Sequence, residues 1–192
     1  AYTAFSKLPE HTPEEIITKQ HAYQKLSSGS NWWRLKTLAD IQTGQYFIPK
    51  TIEHTQRLIT ENTYRDLLAG IMPLQGSVAI AKATAVAVEK RFFHWFLEFP
   101  EVTAKGGFDC ILGNPPYKKG RAISGDIGDP YFNYITANFK PTGGLADLVI
   151  YFLRRNIELT GHEKYTAIIA TNSISQGDSR KGGLAYIKNM GF

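Results

Sequence analysis

Two short apolar runs, Phe108–Leu112 and Tyr165–Ala170, flank an amphipathic stretch, and this order constrains the fold more than any other feature. Strand, loop, helix, strand makes a βαβ unit, whose strands run parallel. Parallel sheets are covered on both faces, so further helices must pack there. The connecting helix is expected over about 146–159. Leu148, Val149, Phe152, Leu153 and Ile157 would face inward, and Arg154, Arg155 and Glu158 outward. A turn at Pro141-Thr142-Gly143-Gly144 precedes it, and Gly161 ends it.

A second helix is expected over 77–99. Val88, Phe92, Trp95 and Phe99 recur at three- and four-residue spacing, Val86, Phe93 and Phe96 widen the stripe, and Pro100 stops it. That spacing assigns the rings to a core rather than to base stacking. His94, among them, reads as a packed histidine rather than a catalytic one. Residues 10–75 read as several short helices. Thr12-Pro13-Glu14-Glu15 is a helix start, with an N-cap, a first-turn proline and acids in the first turn. Another helix is expected from about Ile52 to Leu68, ended near Gly70, and Trp32-Trp33 is assigned to packing. The domain division implied is 1–75, helical, and 76–192, α/β.

The strand at 108–113 ends in Asn114-Pro115-Pro116-Tyr117, where ligands of open α/β sheets bind. The two prolines fix φ and remove two successive N–H donors, which holds the Pro115 carbonyl outward. With the Asn114 side-chain oxygen, it forms a pair of acceptors. Such a pair suits an exocyclic amino group, whose lone pair is delocalised into its ring and is a poor nucleophile. Acceptors aimed at its hydrogens return electron density to nitrogen. Tyr117 offers a face for a base drawn out of a duplex, worth roughly 1–3 kcal/mol in stacking. The chemistry is positioning and electrostatics, without a shifted acid or base.

Residues 118–130 hold three glycines, three basic residues (Lys118, Lys119, Arg121) and two aspartates, and read as a long mobile loop. The basic residues are candidate contacts to DNA phosphates; a solvated charged loop accounts for them nearly as well. The net charge of +5 and pI of about 9.2 fit a nucleic-acid partner without demanding one.

Asp109–Tyr117 resembles the catalytic motif of S-adenosylmethionine-dependent amino-methyltransferases. Its flanks narrow the likeness. Arg91–Val102 with Gly106–Asp109, Gly144–Phe152 and Ala167–Ser173 resemble segments of type II restriction–modification DNA adenine-N6 methyltransferases. The resemblance covers roughly 77–192. It implies a partial Rossmann-like methyltransferase core with a helix-rich N-terminal region, acting on double-stranded DNA. Asn114, Pro115, Pro116 and Tyr117 carry over as the target-base site, and Asn114, Asp147 and Leu148 as borders of the S-adenosylmethionine pocket. Thr171 and Asn172 fall at a strand tip near the same cleft. A restriction endonuclease, fused or separate, and a target-recognition domain are the implied partners. One departure stands out. The family's glycine-rich cofactor loop, an acidic or aromatic residue followed by x-Gly-x-Gly, is not found before Asn114. The chain is therefore expected to be the later part of a core, weak in cofactor binding and inactive alone. RNA or protein-glutamine methylation, and a non-catalytic DNA-binding module, are the alternatives.

Composition removes other classes. A single cysteine, Cys110, permits no disulfide framework, and the five histidines lack metal-ligand spacing, so no metal is expected. No run of about 18 apolar residues suits a membrane span. An intracellular, cytoplasmic setting is the expectation. The chain begins at Ala1 and stops at Phe192 in what reads as the middle of an element, as a piece of a longer protein would.

Overall fold

The βαβ unit is present. In the computed structural model, which describes residues 2–191 apart from the side chain of Arg121, strands β1 (Phe108–Gly113) and β2 (Thr160–Ile168) pair in parallel. Cys110 stands opposite Tyr165 and Leu112 opposite Ala167, with a register irregularity between Phe108 and Cys110. The chain divides into two compact units, Ala1–Glu101 and Val102–Phe192. The division at 75/76 read from sequence lies inside the first.

The first unit is helical: α1 (Tyr2–Phe5), α2 (Pro13–Ser27), α3 (Ser30–Gly44), a 3₁₀ turn (Ile52–Arg57), α4 (Glu61–Ala69), α5 (Val78–Glu89) and α6 (Trp95–Glu98). The predicted start of α2 is a full capping box, Thr12 and Glu15 each satisfying the other's backbone N–H. The helix predicted over 52–68 is instead two pieces, the second ended by Gly70 in the left-handed region, φ 76°. Leu38, Ile41, Leu67, Leu74, Ile80 and Ala83 form the core. α3 and α5 cross closely at Gly44, where a β-carbon would come within 3.1 Å of Ala83.

The helix expected over 77–99 stops at Glu89. Phe92 donates its N–H to the Ala87 carbonyl at 2.9 Å and Arg91 donates to Val88 at 3.2 Å, the Schellman pattern. Its left-handed position is taken by Arg91, φ 53°, instead of a glycine, so no sequence signal marked the stop. The aromatic residues beyond it make a clustered turn, not a buried stripe. Trp95 stacks on Phe99 at 5.8 Å and meets Phe93 edge-on at 4.9 Å, while Phe93, Trp95 and Phe96 each keep much of their surface exposed. Trp33 is likewise exposed rather than core. His94 is packed as expected, its Nε2 2.8 Å from Asp40 Oδ1.

Helix α7 (Pro100–Ala104) leads to the second unit, which continues after β1 with α8 (Gly120–Ile127), α9 (Asp129–Asn138) and α10 (Leu148–Leu159) before β2. Beyond β2 come a 3₁₀ turn (Asn172–Ser175), α11 (Gly177–Arg180), a π turn (Lys181–Ala185) and α12 (Tyr186–Asn189). The stretch read as a mobile loop, 118–130, is thus α8 and the start of α9. Their apolar residues make the core of this unit: Ile123 and Ile135 join Ala146 and Tyr151, with Ile127 and Phe132 against them. Two of the three glycines that suggested a loop serve tight packing and a break, while Gly125 faces open space. A β-carbon on Gly120 would fall 2.0 Å from the Gly144 carbonyl oxygen, and Gly128, φ 87°, separates the two helices.

Two further expectations change. Arg154 is buried, donating to the carbonyls of Phe139 (2.5 Å) and Lys140 (3.1 Å) and lying over the Tyr186 ring, whereas Phe152 faces outward. The strands are not sealed inside the chain. On one face Leu112 is 76 % exposed, Tyr165 75 % and Ile169, just past β2, 63 %, while Ile111, Thr166 and Ile168 on the other are half-buried.

Candidate active site

The corner at Asn114–Tyr117 leaves the carboxyl end of β1, and the end of β2 runs beside it. Asn114, Pro116 and Tyr117 are exposed, while Pro115 is buried. Tyr117 keeps 44 % of its surface. Its hydroxyl donates to the side-chain oxygen of Asn114, with the Ile169 carbonyl 3.2 Å away. The Asn114 acceptor is therefore already a hydrogen-bonded oxygen at the surface. Among the described residues, no donor meets the Pro115 carbonyl. The two prolines explain this: neither can join a ladder, and the chain turns away from β2 at once.

Both ends of the corner are pinned. Before it, the Ile169 N–H donates to the Gly113 carbonyl at 2.9 Å, carrying the sheet's pairing one step past β2. After it, Lys118 is held through its main chain. Its N–H donates to Asp147 Oδ1 at 3.2 Å, and its carbonyl accepts from the Leu148 N–H at 2.8 Å. Asp147 caps α10, accepting from the Val149 N–H at 3.2 Å. It is 4 % exposed, so its oxygens serve protein groups. Leu148, at the first position of α10, is half-buried. Sequence reasoning placed Asp147 beside a ligand and missed this clasp. An acid directly before an apolar helix is the N-cap signal that would have found the cap, though not its tie to Lys118.

Ser173 and Ser179, which the sequence did not mark as partners, complete the setting. Ser173 Oγ lies 3.4 Å from Asp147 Oδ2 and 2.6 Å from Thr171 Oγ1, and Ser179 Oγ accepts from the Asp147 N–H at 2.9 Å. Thr171 and Asn172 are exposed just beyond β2. Of the basic candidates, Lys118 pairs with Asp126, and Lys119 is exposed as the N-cap residue of α8. The Arg121 side chain lies outside the described residues. No group of three or more His, Cys, Asp or Glu side chains among the described residues could hold a metal. No helix among them is long and apolar enough to cross a membrane.

A helix-rich chain with a parallel strand pair and a proline-braced corner is consistent with part of a methyltransferase fold. The family comparison makes the class definite: residues 14–190 match the model for Eco57I restriction-modification methylase. The chain belongs to that family, and the match takes in most of the helical first unit as well as the βαβ unit. No curated protein and no solved structure matches it.

Proposed function

We propose that this chain carries the target-base corner of a DNA adenine-N6 methyltransferase that uses S-adenosylmethionine. The observation that supports this most directly is the surface corner at the end of β1, with Asn114 and Tyr117 exposed and the Pro115 carbonyl without a donor among the described residues. In this reading an adenine drawn out of double-stranded DNA stacks on Tyr117. Its amino hydrogens are received by the Asn114 oxygen and the Pro115 carbonyl. Tyr117 first releases Asn114, its hydroxyl keeping the Ile169 carbonyl as a second partner. Electron density returns to the amino nitrogen as these bonds form, and the charge that develops there is met by two fixed oxygens. The bound donor supplies an electrophilic methyl group on a sulfonium. The proton that the nitrogen would lose on methylation would pass to water at the exposed corner.

The residues present fit one wall of a donor site. Asn114 offers a polar edge; the Leu148 side chain packs against the core of the second unit, and the inward-turned carboxylate of Asp147 holds the start of α10 beside the corner. Lys119 and Arg121 would meet phosphates. The alternative is a methyltransferase-fold module that binds DNA without catalysis. Calorimetry with S-adenosylmethionine separates the two, heat of binding supporting the enzyme.

Asn114→Ala, in the protein that carries this chain, is expected to lower methyl transfer to adenine at least about a hundredfold while leaving duplex binding near wild type. Turnover that survives the substitution would remove Asn114 from the chemistry. Transfer to RNA or to a glutamine side chain, with none to DNA, would redirect the substrate.

A further inference from the structure

We infer that Asp147 is the positioning residue of the corner: its carboxylate sets the path of the chain at Lys118 and so the direction in which the acceptors of Asn114 and Pro115 point. The inference rests on reading that corner as the methylation site. Three observations carry it. The carboxylate is buried, yet no cation among the described residues meets it; its partners are the main-chain N–H groups of Lys118 and Val149 and the Ser173 hydroxyl. A carboxylate satisfied by amides fixes backbone, because each such bond constrains a peptide plane rather than a flexible side chain. The second is that Lys118 is gripped twice, the Leu148 N–H holding the carbonyl of the residue whose N–H meets Asp147. The third is the lack of slack just beyond. Gly120 lies so close to the Gly144 carbonyl and the Leu145 α-carbon that no side chain fits, so segment 118–120 packs directly on the approach to α10.

The corner thus has two anchors of different kinds. At Gly113 it is held by an extension of the sheet, and at Lys118 by the start of α10. Two prolines between the anchors leave little freedom, so a change of direction at Lys118 is passed to Asn114 and Pro115 rather than absorbed. The Ser173 hydroxyl on the other carboxylate oxygen ties the segment after β2 to the same point. One carboxylate therefore touches both the segment that follows β1 and the segment that follows β2.

The test compares Asp147→Ala, Asp147→Asn and Ser179→Ala. Asparagine keeps an acceptor for Lys118 and remains a good N-cap, whereas Ser179 touches Asp147 without touching Lys118. Amide exchange at Lys118, followed by NMR on this chain, should quicken about tenfold in Asp147→Ala, the scale of one lost charge-assisted hydrogen bond. It should stay near wild type in the other two variants. In the protein that carries the chain, Asp147→Ala should lower kcat about a hundredfold with duplex Kd unchanged. Asp147→Asn should recover most of it. Unchanged exchange at Lys118 in Asp147→Ala would overturn the inference. So would equal quickening across the whole unit, or a loss in Asp147→Asn as large as in the alanine variant. If the wild-type protein transfers no methyl group to DNA, the proposed function fails, and the exchange result still decides the role of Asp147.

Discussion

Each unit buries one aspartate at the same depth, and the two are satisfied in opposite ways. Asp40 and Asp147 are each 4 % exposed. Asp40 lies between two side-chain nitrogens, His94 Nε2 at 2.8 Å and Lys36 Nζ at 2.6 Å. Asp147 faces two backbone amides and a hydroxyl. The first arrangement staples a helix, α3, to the irregular segment after the Schellman stop, and leaves backbone direction to other forces. The second meets a peptide path and, among the described residues, has no ionisable partner. A carboxylate used for cohesion is paired with charge; one used for aim is paired with N–H groups. The chain places its second kind beside the candidate active site.

If this contrast is right, the largest stability effect belongs to Asp40. Asp40→Ala leaves His94 buried and Lys36 unpaired, at a cost of about 2–3 kcal/mol. That lies below the ~3–5 for a fully buried pair, because Lys36 is half-exposed. All three tryptophans, Trp32, Trp33 and Trp95, lie in the first unit, so urea unfolding followed by their fluorescence reports this cost. Asp147→Ala should cost less, about 1–2 kcal/mol, the range of a lost N-cap, and should barely move the tryptophan signal. Equal losses at both sites would erase the distinction.

Acid separates the two units more gently. Burial raises the Asp40 carboxyl, but hydrogen bonds from His94 and Lys36 and their charges outweigh it, and the net shift is downward from 3.8. The folded state thus binds this proton less readily than the unfolded one. The stability gained is complete well above pH 3.8 and is lost as pH falls below it toward the folded value. Unfolding followed through the tryptophans should steepen in that window, and Asp40→Asn should flatten the dependence. A slope unchanged by the substitution would show that other carboxylates carry the acid sensitivity.

The same contrast explains what could be read from sequence. The apolar runs forming β1 and β2 announced themselves, as did Thr12 and Glu15, because each depends on neighbours in the chain. So did the corner, since proline acts on its own backbone and on the residue before it. Features set by distant partners were silent. Nothing local marks Arg91 as the residue that ends α5, since the usual mark is glycine. Gly120, Gly125 and Gly128 suggested a loop because composition records flexibility and not the carbonyl of Gly144, which requires Gly120 to be bare. Arg154 was assigned to solvent because helical periodicity cannot foresee the Phe139 and Lys140 carbonyls that draw it inward. Asn114 and Tyr117 stand out in the sequence as candidate site residues, but the Asp147 clasp does not, since it joins residues 29 positions apart.

The smallest expected effect concerns a buried polar group with neither kind of partner. The Tyr151 ring packs in the core of the second unit, edge-on to Phe139 at 5.6 Å. Its hydroxyl is buried without a hydrogen-bond partner among the described residues. Burial, opposed in part by the nearby Arg154 charge, pushes this phenol up to about 12. A hydroxyl taken out of water and given nothing in return costs free energy, so its removal should be neutral or stabilising. Tyr151→Phe keeps the ring and its packing and deletes only the oxygen. The expected gain is at most about 1 kcal/mol, seen as a small rise in Tm by calorimetry. A fall of the size expected for Asp147→Ala would mean that the hydroxyl has a partner in solution.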